Sequence, residues 1–171
     1  LMDAKGIDYK SVSKKINKLE NQAKTAILVA KDNEIIGLTG VADRIKDDSA
    51  DAIAELKKFG MEPVMITGDN ERTAKAIADK VGIENVIAEV MPDRKREEII
   101  KLQNEGKKVA MVGDGINDAP ALKQSNVGIA IGSGTDIAIE AADITLVKGD
   151  LSAVVKAVKL SQATFSKIKG N

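Results

Sequence analysis

From Lys46 to the end of the chain, helical patterns alternate with short apolar runs rich in β-branched residues. That alternation belongs to parallel strands joined by crossover helices, and it predicts an α/β fold with a doubly wound parallel sheet. Ala52, Ile53, Leu56 and Phe59 share one helical face, with Asp47 or Asp48 as the cap and Gly60 as the stop. A strand over Pro63 to Ile66 follows, then a helix over Glu71 to Val81 with Ala74, Ile77, Ala78 and Val81 inward and Gly82 at its end. A short strand over Asn85 to Ala88 precedes a helix opened by Pro92, which carries Ile99, Ile100 and Leu102 and stops near Gly106. Val109 to Val112 reads as a buried parallel strand. Val127 to Ile131 and Ile144 to Val147 read as further strands, and Asp136 to Ala141 and Leu151 to Ile168 as helices.

The residues up to Val41 follow another pattern. Met2 to Lys24 is lysine-rich, with a helix expected around Val12 to Leu19. Thr25 to Ala30 and Glu34 to Val41 read as a hairpin turning at Lys31-Asp32-Asn33, which suits the edge of a second domain. The 171 residues are enough for one core, or for one domain and part of another. Lys+Arg and Asp+Glu are both 26, so neither a nucleic-acid partner nor a polybasic membrane tether is expected. With no cysteine and no histidine, disulfides, thiolate metal sites and imidazole bases are excluded. Carboxylate, hydroxyl, lysine and backbone groups must do any chemistry. No apolar run approaches the roughly 20 residues of a bilayer span, and the amino terminus lacks a signal-peptide core, so the chain as given is expected to be soluble.

The strongest chemical signal is the run Val112-Gly113-Asp114-Gly115-Ile116-Asn117-Asp118-Ala119-Pro120-Ala121-Leu122. Asp114 would sit at the carboxyl end of a strand, where open α/β sheets place their ligands. Gly113 and Gly115 allow backbone conformations closed to other residues, and Pro120 suits an opening helical turn. Two carboxylates four positions apart beside a phosphate suit Mg²⁺, which usually takes only one or two protein carboxylates. Asp114 is assigned as the direct ligand, and Asp118 as an outer-shell group or a partner of Lys95. Taken singly, Asn117 or Asp118 is also an ordinary helix cap.

Two other segments belong with it. Thr67-Gly68-Asp69-Asn70 brings a hydroxyl, a glycine amide and helix-terminal N–H groups to one strand end, a phosphate cradle, although Asp69 or Asn70 could simply cap the next helix. Lys95 lies in the first turn of the helix opened by Pro92, where the helix dipole opposes a cation. On its own it is a surface lysine beside Arg94 and Arg96; between two phosphate-type loops it is the positive charge that a transferring phosphoryl group needs. Gly132-Ser133-Gly134-Thr135-Asp136 is read as a structural turn with Thr135 or Asp136 as a cap.

Thr67-Gly68-Asp69-Asn70, Met91-Pro92-Asp93-Arg94-Lys95 and Gly113 to Leu122, in this order and spacing, closely resemble the phosphorylation domain of P-type cation-transporting ATPases within the haloacid dehalogenase-like superfamily. Ser133 to Leu146 is most similar to the heavy-metal branch, particularly copper pumps. The resemblance implies that Thr67 and Gly68 hold the phosphoryl group, Asp69 lies near the nucleotide, Lys95 neutralises charge, Asp114 binds Mg²⁺, and Asn117 and Asp118 complete the network. ATP and Mg²⁺ are the implied cofactors. Residues 1–41 would be the end of an α+β nucleotide-binding domain, 42–150 the phosphorylation domain, and 151–171 a helix leading toward a membrane segment. The implied parent is a multi-pass cell-membrane pump whose catalytic part faces the cytoplasm and whose transported ion binds elsewhere.

One element of the family pattern is missing. The nucleophile sits in Asp-Lys-Thr-Gly-Thr, and this chain contains no such run. Asp43 follows a strand-like run, but Asp43-Arg44-Ile45-Lys46 lacks the glycine and threonine. In the family the strand bearing the nucleophile lies between the strand ending at Thr67 and the strand ending at Asp114. An upstream segment of the same protein is therefore the expected partner, or else the fragment rearranges or self-associates, and the isolated chain is expected to be inactive. A soluble phosphatase of the same superfamily and a non-catalytic fragment are the alternatives.

Overall fold

The computed structural model describes residues 2, 5–42, 44–114, 116–132 and 136–170, apart from the side chain of Ala138. In chain order the elements are α1 (Ser13–Glu20), β1 (Thr25–Lys31), β2 (Glu34–Val41), α2 (Ser49–Lys58), β3 (Val64–Ile66), α3 (Glu71–Val81) and β4 (Asn85–Ile87). They continue as α4 (Lys95–Asn104), β5 (Ala110–Gly113), α5 (Ala119–Gln124), β6 (Val127–Ile131), α6 (Asp136–Ala141), β7 (Ile144–Leu146) and α7 (Leu151–Lys169). Tight 3₁₀ turns cover Lys10–Val12, Pro92–Arg94 and Ile116–Asp118. The chain divides into two compact units, one of Leu1–Ile45 and Val64–Glu89, the other of Lys46–Pro63 and Val90–Asn171.

In the first unit β1 and β2 form an antiparallel hairpin, and β3 pairs in parallel with β4. Asp32 and Asn33, with φ of 48° and 66°, make the two-residue turn. Both are residues that tolerate the left-handed region, and such a turn matches the twist of the flanking strands. α3 runs over the residues its periodicity predicts. The Asn70 side chain accepts from the Thr73 amide, and Gly82 ends the helix at φ 77°. Thr73 is 1% exposed, and its hydroxyl donates to the Lys24 carbonyl while accepting from Asn70 Nδ2. Arg72 donates to Asn17 and to Glu20, so α3 is tied to α1 and to the start of β1.

In the second unit β5, β6 and β7 form a parallel sheet in that order. β6 lies at its centre, and Ile129 and Ala130 are buried. α4 packs on α5, and Ile99 and Leu122 are each 1% exposed. α2 packs on α7, with Ala52 and Ile53 of one and Val154 and Val155 of the other buried. The expected capping of α2 is corrected here: Asp48 occupies the N-cap position but makes no side-chain bond to its own helix. Its carboxylate instead accepts from Ser152 N at 2.9 Å, satisfying a free amide in the first turn of α7. Lys159 of α7 bonds Glu55 of α2 at 2.6 Å, and that hydrogen bond holds the Glu55 carboxyl below the usual carboxylate range.

The α/β class is as predicted, and the parallel sheet is present in separate pieces. β3 has only β4 as a strand neighbour and β5 only β6, and no ladder joins β3 to β5 among the described residues. The helix expected from Pro92 begins as a 3₁₀ turn, which leaves Lys95 as the first residue of α4. Strand edges are shorter by one residue at Pro63, Ala88, Val109 and Val147.

Asn70→Ala removes both the cap and the partner of a buried hydroxyl, so urea unfolding should show a loss of about 1–2 kcal/mol. Ile99→Ala should lose about 2–5 kcal/mol by leaving a cavity between α4 and α5. Leu160→Ala, at a side chain 69% exposed, should stay within about 0.5 kcal/mol of the parent.

Candidate functional site

Asp114 leaves β5 at its carboxyl end with its side chain exposed, and Ile116 to Asp118 turn the chain into α5, where Pro120 occupies the first turn. Asn117 is exposed on this turn, whereas Asp118 is 8% exposed. A buried carboxylate needs a partner, and Lys95 Nζ meets Asp118 Oδ1 at 2.7 Å with the two side chains only 19% and 11% exposed. The same contact explains a lysine at the first residue of α4, because the carboxylate offsets the unfavourable end of the helix dipole.

Gly113 acts differently from what its sequence context predicts. It is absent from the positive-φ residues of the described chain, so its backbone freedom is not what the position uses. It supplies space: a Cβ built there would lie 2.7 Å from Asp118 Cβ and 2.9 Å from Asp118 Oδ2. The glycine is a seat for the Asp118 carboxylate. Gly115, Ser133, Gly134, Thr135 and Asp43, for which turn, cap or nucleophile roles were weighed, lie outside the described residues.

The second cluster lies in the other unit, at the end of β3. Thr67 Oγ1 donates to Asp69 Oδ2 at 3.0 Å and accepts from Asp69 N at 3.1 Å, closing a small turn, while Gly68 is exposed between them. Of the alternatives for Asp69 and Asn70, Asn70 is the helix cap, which leaves the Asp69 carboxylate for Thr67 and for Thr25 Oγ1 at 3.5 Å. The structure thus brings Thr67 to Asp69, and Lys95 to Asp118. Thr67, Gly68 and Asp69 belong to one unit, and Lys95, Asp114, Asn117 and Asp118 to the other. Sequence reasoning missed Thr25 and Thr73. Their partners lie 44 and 49 positions away, and nothing local marks them.

Among the described residues every buried side-chain polar atom has a hydrogen-bond partner, so both clusters are built without an orphaned group. No described helix is long and apolar enough to cross a membrane.

Known proteins carry the same arrangement of segments. A family model of haloacid dehalogenase-like hydrolases matches residues 3–126, and a second model of the same description matches residues 96–158. The copper-exporting P-type ATPase of Bacillus subtilis (strain 168) is 51% identical over 171 residues, covering 100% of this chain and 21% of that protein. The probable copper-exporting P-type ATPase V of Mycobacterium tuberculosis (strain ATCC 25618 / H37Rv) is 54% identical over 152 residues, 89% of this chain and 20% of that protein. The crystal structure of a zinc-transporting PIB-type ATPase in the E2.Pi state matches with a TM-score of 0.78 at 40% identity, covering 95% of this chain and 27% of that one. The chain spans about a fifth of the length of the curated relatives it matches. With a family model covering most of its length, the chain belongs to the haloacid dehalogenase-like hydrolases.

Proposed function

We propose that this chain is part of the catalytic region of an ATP-driven copper pump that transfers a phosphoryl group to an aspartate outside the chain. The observation that carries the reading is the Lys95–Asp118 pair seated on Gly113 and followed back to Asp114 at a strand end. A structural turn alone would not require a buried lysine–carboxylate pair whose backbone seat excludes even a methyl group. Copper as the cargo is supported by relatives at 51–54% identity that are named copper exporters, against 40% for the zinc transporter. In this reading residues 1–41 end a nucleotide-binding domain, 42–150 form the phosphorylation domain, and 151–171 lead toward a membrane segment. The whole protein would be a multi-pass membrane pump with this region on the cytoplasmic side.

The residues fit a hard divalent cation. The donor set is all oxygen, Asp114 is free at the strand end, and Asp118 is held in a cradle that a Cβ would fill. Asp114 would hold Mg²⁺, with Asp118 behind it. When bound, the ion supplies positive charge against phosphate oxygens. Lys95 then brings a second fixed positive charge, held in place by Asp118 and needing no reorganisation as charge develops. Thr67 and Gly68 would receive the phosphoryl oxygens through a hydroxyl and a backbone amide. Asp69 keeps the Thr67 hydroxyl aimed and would meet the nucleotide, and Asn117 completes the network from the exposed turn. The strand with the nucleophile would come from another segment of the same protein.

Mixing the chain with a polypeptide that carries the Asp-Lys-Thr-Gly-Thr segment, in Mg²⁺ and γ-labelled ATP, should give an acid-stable, hydroxylamine-labile label on the added polypeptide. Label on this chain alone would refute the reading. Lys95→Ala should reduce labelling about 10²–10³-fold, the scale of losing one fixed electrostatic contact to the transition state. Because that variant also strands a buried carboxylate, Lys95→Ala/Asp118→Asn serves as its partner: it should fold and still fail to label. Gly113→Ala should displace Asp118 and lower stability by about 1–3 kcal/mol in urea unfolding, with labelling reduced as well.

A further inference from the structure

The Lys95–Asp118 pair joins the start of α4 to the start of α5, and a cluster of side-chain amides joins the two helices again further along. Arg96, Ile99 and Gln103 follow one another at spacings of three and four, so they share one stripe of α4. Ile99, 1% exposed, is the apolar centre of that stripe. The polar residues on either side of it both bond Gln124, the last residue of α5. Arg96 Nε donates to Gln124 Oε1 at 3.2 Å, and Gln124 Nε2 donates to Gln103 Oε1 at 2.9 Å. Gln103 Nε2 donates in turn to the Gln124 carbonyl at 3.0 Å and to Asn126 Oδ1 at 3.3 Å. Asn126 ties the cluster to the residue before β5: its Oδ1 accepts from Val109 N at 2.9 Å, and its own amide donates to the Val109 carbonyl at 2.9 Å.

The order of donors and acceptors admits one arrangement. A guanidinium can only donate, so Gln124 must turn its side-chain oxygen to Arg96 and its nitrogen to Gln103. The Gln124 backbone carbonyl can only accept and the Val109 N–H can only donate, so Gln103 must present its nitrogen and Asn126 its oxygen. Gln103 and Gln124 are half-buried, and flipping either would set like groups against each other where little water can step in. The elements tied by this cluster are α4, α5 and the start of β5. These are the same three that meet at Lys95, Asp118 and Gly113.

We propose that Gln124 is a positioning residue for Lys95, fixing the separation and rotation of α4 on α5 so that the ammonium stays on Asp118. A single contact at the first residue of α4 would leave the helix free to pivot about it. Gln103 lies eight residues on, about 12 Å along the axis, and a second anchor at that distance removes the pivot. A charged group held by its surroundings stabilises developing charge without first having to be ordered. The consequence for phosphoryl transfer rests on the function proposed above for Lys95; the consequence for where Lys95 is held does not.

Lys95 is read directly by competitive acetylation of the whole chain with acetic anhydride, followed residue by residue by mass spectrometry, with Lys159 on α7 as internal reference. Gln124→Met keeps the length of the side chain and removes its amide bonds. It should raise the acetylation rate of Lys95 relative to Lys159 by about threefold or more, with the far-UV circular dichroism unchanged. Should that variant fail to fold, Gln103→Met breaks the cluster from α4 and carries the same expectation. Gln124→Glu sets a carboxylate against Gln103 Oε1 and should also free Lys95. Gln124→Glu/Gln103→Lys faces the new carboxylate with a donor-only group and should return Lys95 to the parent rate, a rescue that a space-filling role would not produce. Unchanged Lys95 reactivity in the single variants, an equal rise at Lys159, or a double variant no better than Gln124→Glu would overturn the proposal. In the labelling reaction with the Asp-Lys-Thr-Gly-Thr polypeptide, Gln124→Met should slow transfer by about threefold to tenfold at saturating ATP and leave the half-saturating ATP concentration unchanged. A smaller labelled fraction formed at the parent rate would assign Gln124 to stability alone and overturn its part in transfer. A parent chain that supports no labelling would refute the pump reading, and the acetylation rates would still decide whether Gln124 places Lys95.

Discussion

Asp118 is buried, and a carboxylate in that position has to be compensated by charge and by space. Lys95 provides the charge at 2.7 Å, and Gly113 provides the space by having no side chain. Three elements are pinned by this one requirement: the first residue of α4, the last residue of β5 and the turn that opens α5. Replacing Gly113 by any other residue drives a Cβ into Asp118, and removing Lys95 leaves a buried charge alone. The arrangement also leaves Asp114 exposed at the strand end, directly after the glycine that seats Asp118, which is what makes this strand end a candidate site and not merely a packed turn.

The first unit uses neutral polar groups in the same manner. Asn70 caps α3 and holds the Thr73 hydroxyl, which in turn satisfies the Lys24 carbonyl at the root of the hairpin. With Asn70 occupied as the cap, the Asp69 carboxylate is left to orient Thr67. Cap and phosphate-loop roles therefore do not compete at this tetrapeptide. They are divided between neighbouring residues.

Most elements were legible because burial repeats with a period of 3.6 in α3 and with a period near 2 in the hairpin, and because turn residues punctuate both. Gly82, Asn70, Pro120 and the Asp32-Asn33 turn signal locally what they do structurally. The candidate site was legible as residue types in order, and the structure added how Lys95 and Asp118 meet. Of the two residues offered as the cap of α2, Asp47 or Asp48, Asp48 does stand at the cap position, but its carboxylate serves α7, since nothing near it in the chain announces a free amide 104 positions away. Gly113 was credited with conformational freedom for the same reason: its close neighbour, Asp118, reaches it only after the chain has turned.

The order and type of the elements, the α/β class and the chemical repertoire of carboxylate, hydroxyl and lysine were determined by the sequence alone, because hydrophobic period and turn chemistry act over a few residues. Tertiary structure alone decided that Asp48 serves α7 and that Thr25 reaches Asp69, and it showed that Asp118, for which the sequence offered an outer-shell role or a pairing with Lys95, does pair with Lys95. It also decided which apolar faces stay uncovered, as along α7. Those outcomes depend on groups far apart in the chain arriving within hydrogen-bond distance, and a linear pattern of polarity carries no information about that distance.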